Sequence, residues 1–317
     1  MRMVKKSAFF SKSNLVLMKR YRFIYLLMLI PVIELIVFNY APMYGIIVAF
    51  KKYKASIGIW GSEWVGLKWF NQFIFAPYFW KTFKNTLLLG TYSLLWSFPA
   101  PIILSLLLNE IRVERFKKVV QTVTYLPYFI SMVAICSMIL AILSPTTGAV
   151  NQLLGIFGIE PIYFMTEARY FRTIYIASGI WQGVGWGTII YLAALAGVDQ
   201  ELYEAATIDG ANRFQKMWHI SLSAIKPTIS ILLILSVPGI ISANFEKVLL
   251  LYNEVIFDTA DVMSTYLYRL AFGTAKVSGG QVEQGAAIGL FNSVISFVLI
   301  LMSNRISKFF DNTSSLW

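Results

Sequence analysis

The sequence predicts an all-α integral membrane protein, a six-span helical bundle, and three observations predict it. Apolar residues make up 57% of the 317-residue chain and charged ones only 14%, and a mean hydropathy of +0.65 suits a bilayer rather than water. Six windows, 23–49, 84–108, 119–143, 172–197, 227–251 and 284–304, are apolar over the roughly 20 residues that cross ~30 Å of hydrocarbon. Polar and turn-forming residues collect between them. Spans of one chain pack together, so one transmembrane domain is expected over 23–310, with a basic tail at 1–22 and a short tail at 311–317.

The first 22 residues, MRMVKKSAFFSKSNLVLMKRYR, hold seven Lys or Arg and no acid, and an apolar run opens at Phe23. This imitates a signal peptide. The run outlasts an h-region and ends without a small-x-small cleavage site, so an uncleaved first span with a cytoplasmic N-terminus is expected. Six spans then place both termini in the cytoplasm. Lys and Arg favour inner segments, and Arg112, Arg115, Lys117, Lys118, Arg213, Lys216, Lys226, Arg305 and Lys308 fall there. The first outer loop nevertheless holds KKYK at 51–54, with Lys68 and Lys81 beyond, so the tail carries the orientation more than the loops do. GLKWFNQFIFAPYFWKTFKNT, 66–86, mixes aromatics with Lys and reads either as a helix at headgroup level or as an aromatic belt. The outer segments at 144–161 and 272–281 have the Gly, Pro, Ser and Thr of loops.

Composition and motifs exclude several chemistries. The net charge of +11 reflects membrane orientation, since no basic soluble domain is present to bind nucleic acid. A single histidine, His219, and a single cysteine, Cys136, are too few for a zinc site, and one cysteine forms no internal disulfide. No Gly-x-x-x-x-Gly-Lys-Ser/Thr loop, G-x-S-x-G elbow or His-Glu-x-x-His pair occurs. The chain is therefore expected to have no catalytic centre, no ATPase site, no metal and no cofactor of its own.

Three charges fall where charge is expensive, at ~2.5–3.5 kcal/mol on insertion scales: Glu34 in the first span, Glu246 and Lys247 near the end of the fifth. For Glu34 a pairing with a neighbouring helix is expected. Glu246 and Lys247 either line a polar path or snorkel to the interface. In the fourth span, IWQGVGWGTIIYLAALAG at 180–197, Trp181, Gln182 and Trp186 offer flat ring faces beside an amide that could stack on and hydrogen-bond a sugar, although indoles in spans more often serve packing or the interface. Pro238-Gly239 interrupts the fifth span, tolerable where freed backbone groups meet protein or a water-filled cavity. Polarity and position make Trp181, Gln182, Asn244, Glu246, Tyr252 and Asn253 the candidates for a substrate path.

Between the fourth and fifth spans lies DQELYEAATIDGANRFQKMWHISLSAIKPTI, 199–229. It reads as two short helical pieces joined at Gly210, where positive φ costs glycine nothing. Ala205, Ala206 and Ala211 keep one face low, Glu204 and Asp209 flank it with negative charge, and Trp218, Ile220 and Leu222 supply apolar anchors. Such a loop suits a partner's groove. The run resembles the EAA loop of binding-protein-dependent ABC importer permeases, Glu-Ala-Ala, three residues, Gly, nine residues, Ile-x-Leu-Pro. Glu204, Ala205, Ala206, Gly210, Ile220 and Leu222 match in spacing; Ser223 stands where the pattern has proline, with Pro227 following. YAPMYGIIVAF (40–50), GLKWF (66–70), NTLLLG (85–90), TYLPYFIS (124–131), GWGTIIYLAALAGV (185–198), STYLYR (264–269) and AAIGLFNSVISF (286–297) resemble the carbohydrate branch, the Gram-positive polysaccharide and lipoprotein-dependent permeases.

The resemblance implies the ABC type I importer permease fold, with 198–226 as a cytoplasmic coupling loop, in a multi-pass protein of a bacterial cell membrane. It also implies the partners: a second permease in a heterodimer, a cytoplasmic ATPase dimer that uses ATP and Mg, and an extracellular lipoprotein delivering an oligosaccharide. Glu204, Ala205, Ala206, Asp209, Gly210, Ile220 and Leu222 would then couple to the ATPase. A membrane-embedded lipid or glycan transferase using Glu34, Glu246 or Asp258 leaves the EAA pattern unexplained. A channel or secondary transporter lacks a visible repeat, and an importer for a non-sugar solute is set aside by the resemblance alone.

Overall fold

The computed structural model describes residues 19–272 and 281–310. Most of the basic tail, most of the turn-rich stretch at 272–281 and the C-terminal tail lie outside the described residues. Helix α1, Arg22–Phe50, is apolar along its length yet leaves its hydrophobic window wholly unburied, and only its last turns dock, through Val48 and Ala49. Glu34 sits on this exposed stretch with no side-chain partner among the described residues, so the expected pairing with a neighbouring helix of the same chain does not occur.

Two lysines of KKYK open a small antiparallel ladder, β1 (Lys51–Lys52) against β2 (Glu63–Trp64). Lys51 is buried with its Nζ donating to the Ile59 and Trp60 carbonyls, at 2.8 and 3.3 Å. The aromatic stretch at 66–86 does not form a single helix. Helix α2, Lys68–Ile74, buries Trp69 and Phe73, and a new helix starts at Pro77. Phe73, Phe79, Phe83 and Phe291 meet ring to ring at 4.8–5.9 Å, so these residues are core. Aromatic pairs of this kind add ~0.5–1.5 kcal/mol each beyond their buried area.

Helix α3 spans Pro77–Asn109. The third window then departs from the sequence expectation. Instead of one straight span there are α4, Glu114–Phe129, and α5, Met132–Ile142, bent by 102°. Pro127 tightens the end of α4 into a 3₁₀ turn, and the extended Ser131 caps α5 by accepting from the Ala134 N–H at 3.3 Å. Helix α6, Ala149–Ile156, occupies part of the stretch expected to be loop, and Asn151 ties it down by bonding both the N–H and the carbonyl of Ile162. Helix α7, Ala168–Ala196, is the 29-residue centre post of the bundle, about 43 Å at 1.5 Å per residue. It packs closely on α4 because residue 185 is glycine, where a Cβ would stand 2.1 Å from the Thr124 carbonyl oxygen.

After α8, Gln200–Ile208, helix α9 runs unbroken from Arg213 to Ile240. The second half of the expected coupling loop is therefore the first turns of a span. At the other end, a 3₁₀ turn at Val237–Ile240 stops the span eleven residues before the expected limit of 251, and α10, Phe245–Leu251, is a separate helix. The Pro238-Gly239 interruption explains the stop, since proline removes a backbone donor. Helix α11, Met263–Ala271, and the long α12, Gln281–Phe310, complete the bundle. Among the described residues five helices are apolar and long enough to span, six if α4 and α5 form one broken span.

Candidate functional site

Two places stand out, one inside the bundle and one at its end. Residues of α3, α5, α7 and α10 enclose a cavity of about 210 Å³. Ser93, Ser97, Gln182 and Asn244 give it polar walls, Met132 and Ile176 apolar ones, and Tyr175, Gly179 and Lys247 meet at its side. Asn244 caps α10, its side chain accepting from the Lys247 N–H at 3.0 Å, while its own N–H donates to the Tyr175 hydroxyl at 3.0 Å. The cap turns Lys247 inward. Its ammonium, 3% exposed as a residue, donates to the Tyr175 carbonyl at 2.8 Å and lies 4.8 Å from the centre of that ring.

Of the residues read as a substrate path, Gln182 and Asn244 line this cavity and Trp181, Glu246, Tyr252 and Asn253 do not. Trp181 and Glu246 are exposed. Tyr252 stacks on Phe257 at 5.0 Å and hydrogen-bonds Arg269. Asn253 spends its side chain on the backbone, accepting from Val255 and Ile256 and donating to the Met165 carbonyl. The neighbouring Trp186 stacks flat on Tyr128 at 4.5 Å and 2°, an arrangement that sequence reading did not foresee. Ser93, Ser97, Tyr175 and Gly179 were also missed; in sequence they are ordinary span residues.

Between the cavity and the start of α7, a buried network locks the bundle. Asp261 takes both Arg269 nitrogens, at 2.8 and 2.6 Å, the Thr265 hydroxyl at 2.8 Å, and the Tyr78 hydroxyl. Burial disfavours the Arg269 charge, but the bonds and charge of Asp261 more than offset this and raise its pKa above the ordinary value. Asn85 donates to the Asp258 and Asp261 carbonyls and accepts from Arg172 of α7 at 3.0 Å, so α3, α7 and α11 are held together at this end.

At the opposite end, immediately after α7, stands the α8–turn–α9 hairpin. Asp199 caps α8 by accepting from Glu201 N–H at 3.0 Å. The helix ends with Gly210 at φ +79°, the Gly210 N–H reaching the Thr207 carbonyl and the Ala211 N–H reaching that of Ala206 at 2.8 Å. This doubly bonded ending requires a left-handed residue. Two residues later Asn212 and Gln215 cap α9 reciprocally, at 2.8 and 2.9 Å. The Tyr203 and Ser221 hydroxyls, 2.9 Å apart, and a bond from Lys216 Nζ to the Thr207 hydroxyl at 3.0 Å pin the two helices together.

The hairpin divides its predicted residues by direction. Leu222 packs against the bundle with Leu106, Tyr191, Leu195 and Ile225, Ile220 is half-buried beside it, and α9 passes straight through Ser223. Glu204, Ala205 and Asp209 are exposed, with Ala206 half-buried between them. Around them Leu202, Ile208, Phe214 and Trp218 present bare apolar surface, Ile208 at 87% exposure and the Phe214 and Trp218 rings stacked. Four large apolar side chains thus lie exposed beside carboxylates on an otherwise polar segment.

An apolar bundle with a partly polar cavity inside it and a braced hairpin at one end has the architecture of a membrane permease component. Residues 97–313 match the family described as binding-protein-dependent transport system inner membrane component, and the chain belongs to that family. Its relatives agree along nearly the whole length. Protein LplB of Bacillus subtilis is 42% identical over 93% of this chain and 91% of its own. The polygalacturonan/rhamnogalacturonan transport system permease protein YteP of the same organism is 42% identical over 94% and 92%. Among solved structures, the bacterial alginate ABC transporter in complex with an alginate pentasaccharide-bound periplasmic protein contains a chain 38% identical to this one, with a TM-score of 0.84 over 94% of this chain and 97% of that one.

Proposed function

We propose that this chain is one of two permeases of an ATP-driven importer, moving an oligosaccharide handed over by an extracellular binding lipoprotein. The exposed α8–turn–α9 hairpin carries the proposal. It is braced internally, continuous with α9, and presents Glu204, Asp209 and apolar side chains outward. A cytoplasmic ATPase dimer fits this surface, and ATP and Mg belong to that partner. Closure of the ATPase pair pushes the hairpin, and because α9 is continuous from Arg213 to Ile240 the push is carried along the bundle. Outward-open and inward-open arrangements then alternate, each ligand favouring the state it binds better.

A second permease is supported by residues 22–44 of α1, whose hydrophobic window no other part of the described chain buries. Oligosaccharide cargo is supported by the similarity to the polygalacturonan/rhamnogalacturonan permease and by the cavity with amide and hydroxyl groups in its lining. Orientation with both termini in the cytoplasm follows from the basic tail. Mild-detergent purification of the chain from its native membrane, followed by mass spectrometry, tests the reading. Co-recovery of an ATPase, a second permease and a binding lipoprotein is expected. Recovery of the chain alone, while a control importer stays whole, would overturn it.

A further inference from the structure

We infer that the cavity beside α10 is a subsite for a carboxylate, with Lys247 as its counter-cation, and that the cargo is therefore an acidic, uronate-bearing oligosaccharide. The inference rests on the oligosaccharide-permease reading and sharpens it. Lys247 is 3% exposed, yet no carboxylate of the described residues lies within ion-pair distance of its ammonium. Glu246, its sequence neighbour, is exposed and does not line the cavity. An ammonium taken out of water without an anion is costly, and one carbonyl and one aromatic ring compensate it only in part. The Tyr175 carbonyl takes one of its three N–H donors.

Its surroundings keep space for an anion. At Gly179 a Cβ would stand 3.3 Å from the Lys247 Nζ, so the absent side chain lets the ammonium reach the wall of the cavity that both residues line. Gln182 and the Ser93 and Ser97 hydroxyls share that cavity and suit the hydroxyls of the same sugar. A lysine that served packing alone would need neither the open cavity nor the bare position on α7.

The test uses the complete importer in proteoliposomes, offered a mixed pool of uronate oligosaccharides and the same pool after reduction of its carboxyls, with entry read by mass spectrometry. The binding lipoprotein is the same in every arm, so its selectivity cancels between variants. Lys247→Met is expected to cut entry of the acidic pool about tenfold or more, the size of a lost hydrogen bond to a charged group, with entry of reduced sugars retained and Lys247→Arg keeping most acidic entry. Gly179→Ala, a milder change, is expected to lower acidic entry selectively. Equal loss of both pools at equal membrane abundance would overturn the inference, as would a wild-type importer that moves only reduced sugars, which leaves the permease reading standing. A wild-type importer that moves neither pool removes the oligosaccharide reading and this inference with it.

Discussion

Asp261→Ala tests the network that joins α3, α7 and α11. The carboxylate is 1% exposed, and the Arg269 side chain it holds is 13% exposed. Removing it deletes two charge-assisted bonds from Arg269, at 2.8 and 2.6 Å, and the acceptor for the Thr265 and Tyr78 hydroxyls. Tyr78, Tyr252 and the Phe257 ring stay beside the guanidinium, and none of these three is an anion. Breaking a buried pair by removing one member costs ~3–5 kcal/mol. For a chain of this size each kcal/mol moves the melting temperature ~2–4 °C, so a drop on the order of 10 °C is expected. Cys136 is the chain's only cysteine and is 2% exposed, so a thiol-reactive fluorogenic dye reports unfolding of the purified chain from one site. Asp261→Ala with Arg269→Met is expected to regain part of the loss, because an apolar replacement leaves no buried charge behind. A single variant melting within about 2 °C of the wild type would refute the argument, and so would a double variant less stable than Asp261→Ala.

Other perturbations separate coupling from folding. Glu204→Lys, at an exposed position of the hairpin, is expected to insert normally and to uncouple ATP hydrolysis from uptake; full uptake would remove Glu204 from the contact. Gly210→Val forces a β-branched residue to φ +79°, a strain of at least ~1–2 kcal/mol, and is expected to lower the ATPase co-purified with the chain while the melt changes little. Undiminished assembly counts against the turn. Gly185→Val drives a methine toward a carbonyl 2.1 Å from its Cβ and is expected to destabilise the α4–α7 packing by ~1–3 kcal/mol. An unchanged melting temperature would mean that the two helices do not meet there in the membrane.

What was legible in the sequence is what neighbouring residues decide together. Hydropathy adds along a segment, so the apolar windows report spans whatever surrounds them. The turn at Gly210 could be read for the same reason, whereas the caps at Asp199, Asn212 and Gln215, though equally local, came to light only in the structure. Even so, local chemistry misjudged continuity. TYLPYFIS holds the proline and the capping serine of a break, but its apolar content is the same straight or bent, so the 102° bend is seen only in the folded chain. Likewise the start of α9 is polar because it lies beyond the bundle, although it continues the span without interruption.

The sequence by itself determined a helical membrane protein, its approximate spans and the sharp Gly210 turn, since each follows from side chains acting on their own stretch of backbone or on the surrounding lipid. Only the tertiary structure decided that Lys247 turns into a cavity while Glu246 faces out, that Asn253 binds backbone, that Glu34 has no partner within the described chain, and that Asp261 meets Tyr78 across 183 residues. Those outcomes depend on which helices pack side by side. A charge in a greasy run announces its cost locally, but the group that offsets it comes from a distant segment and is chosen by packing.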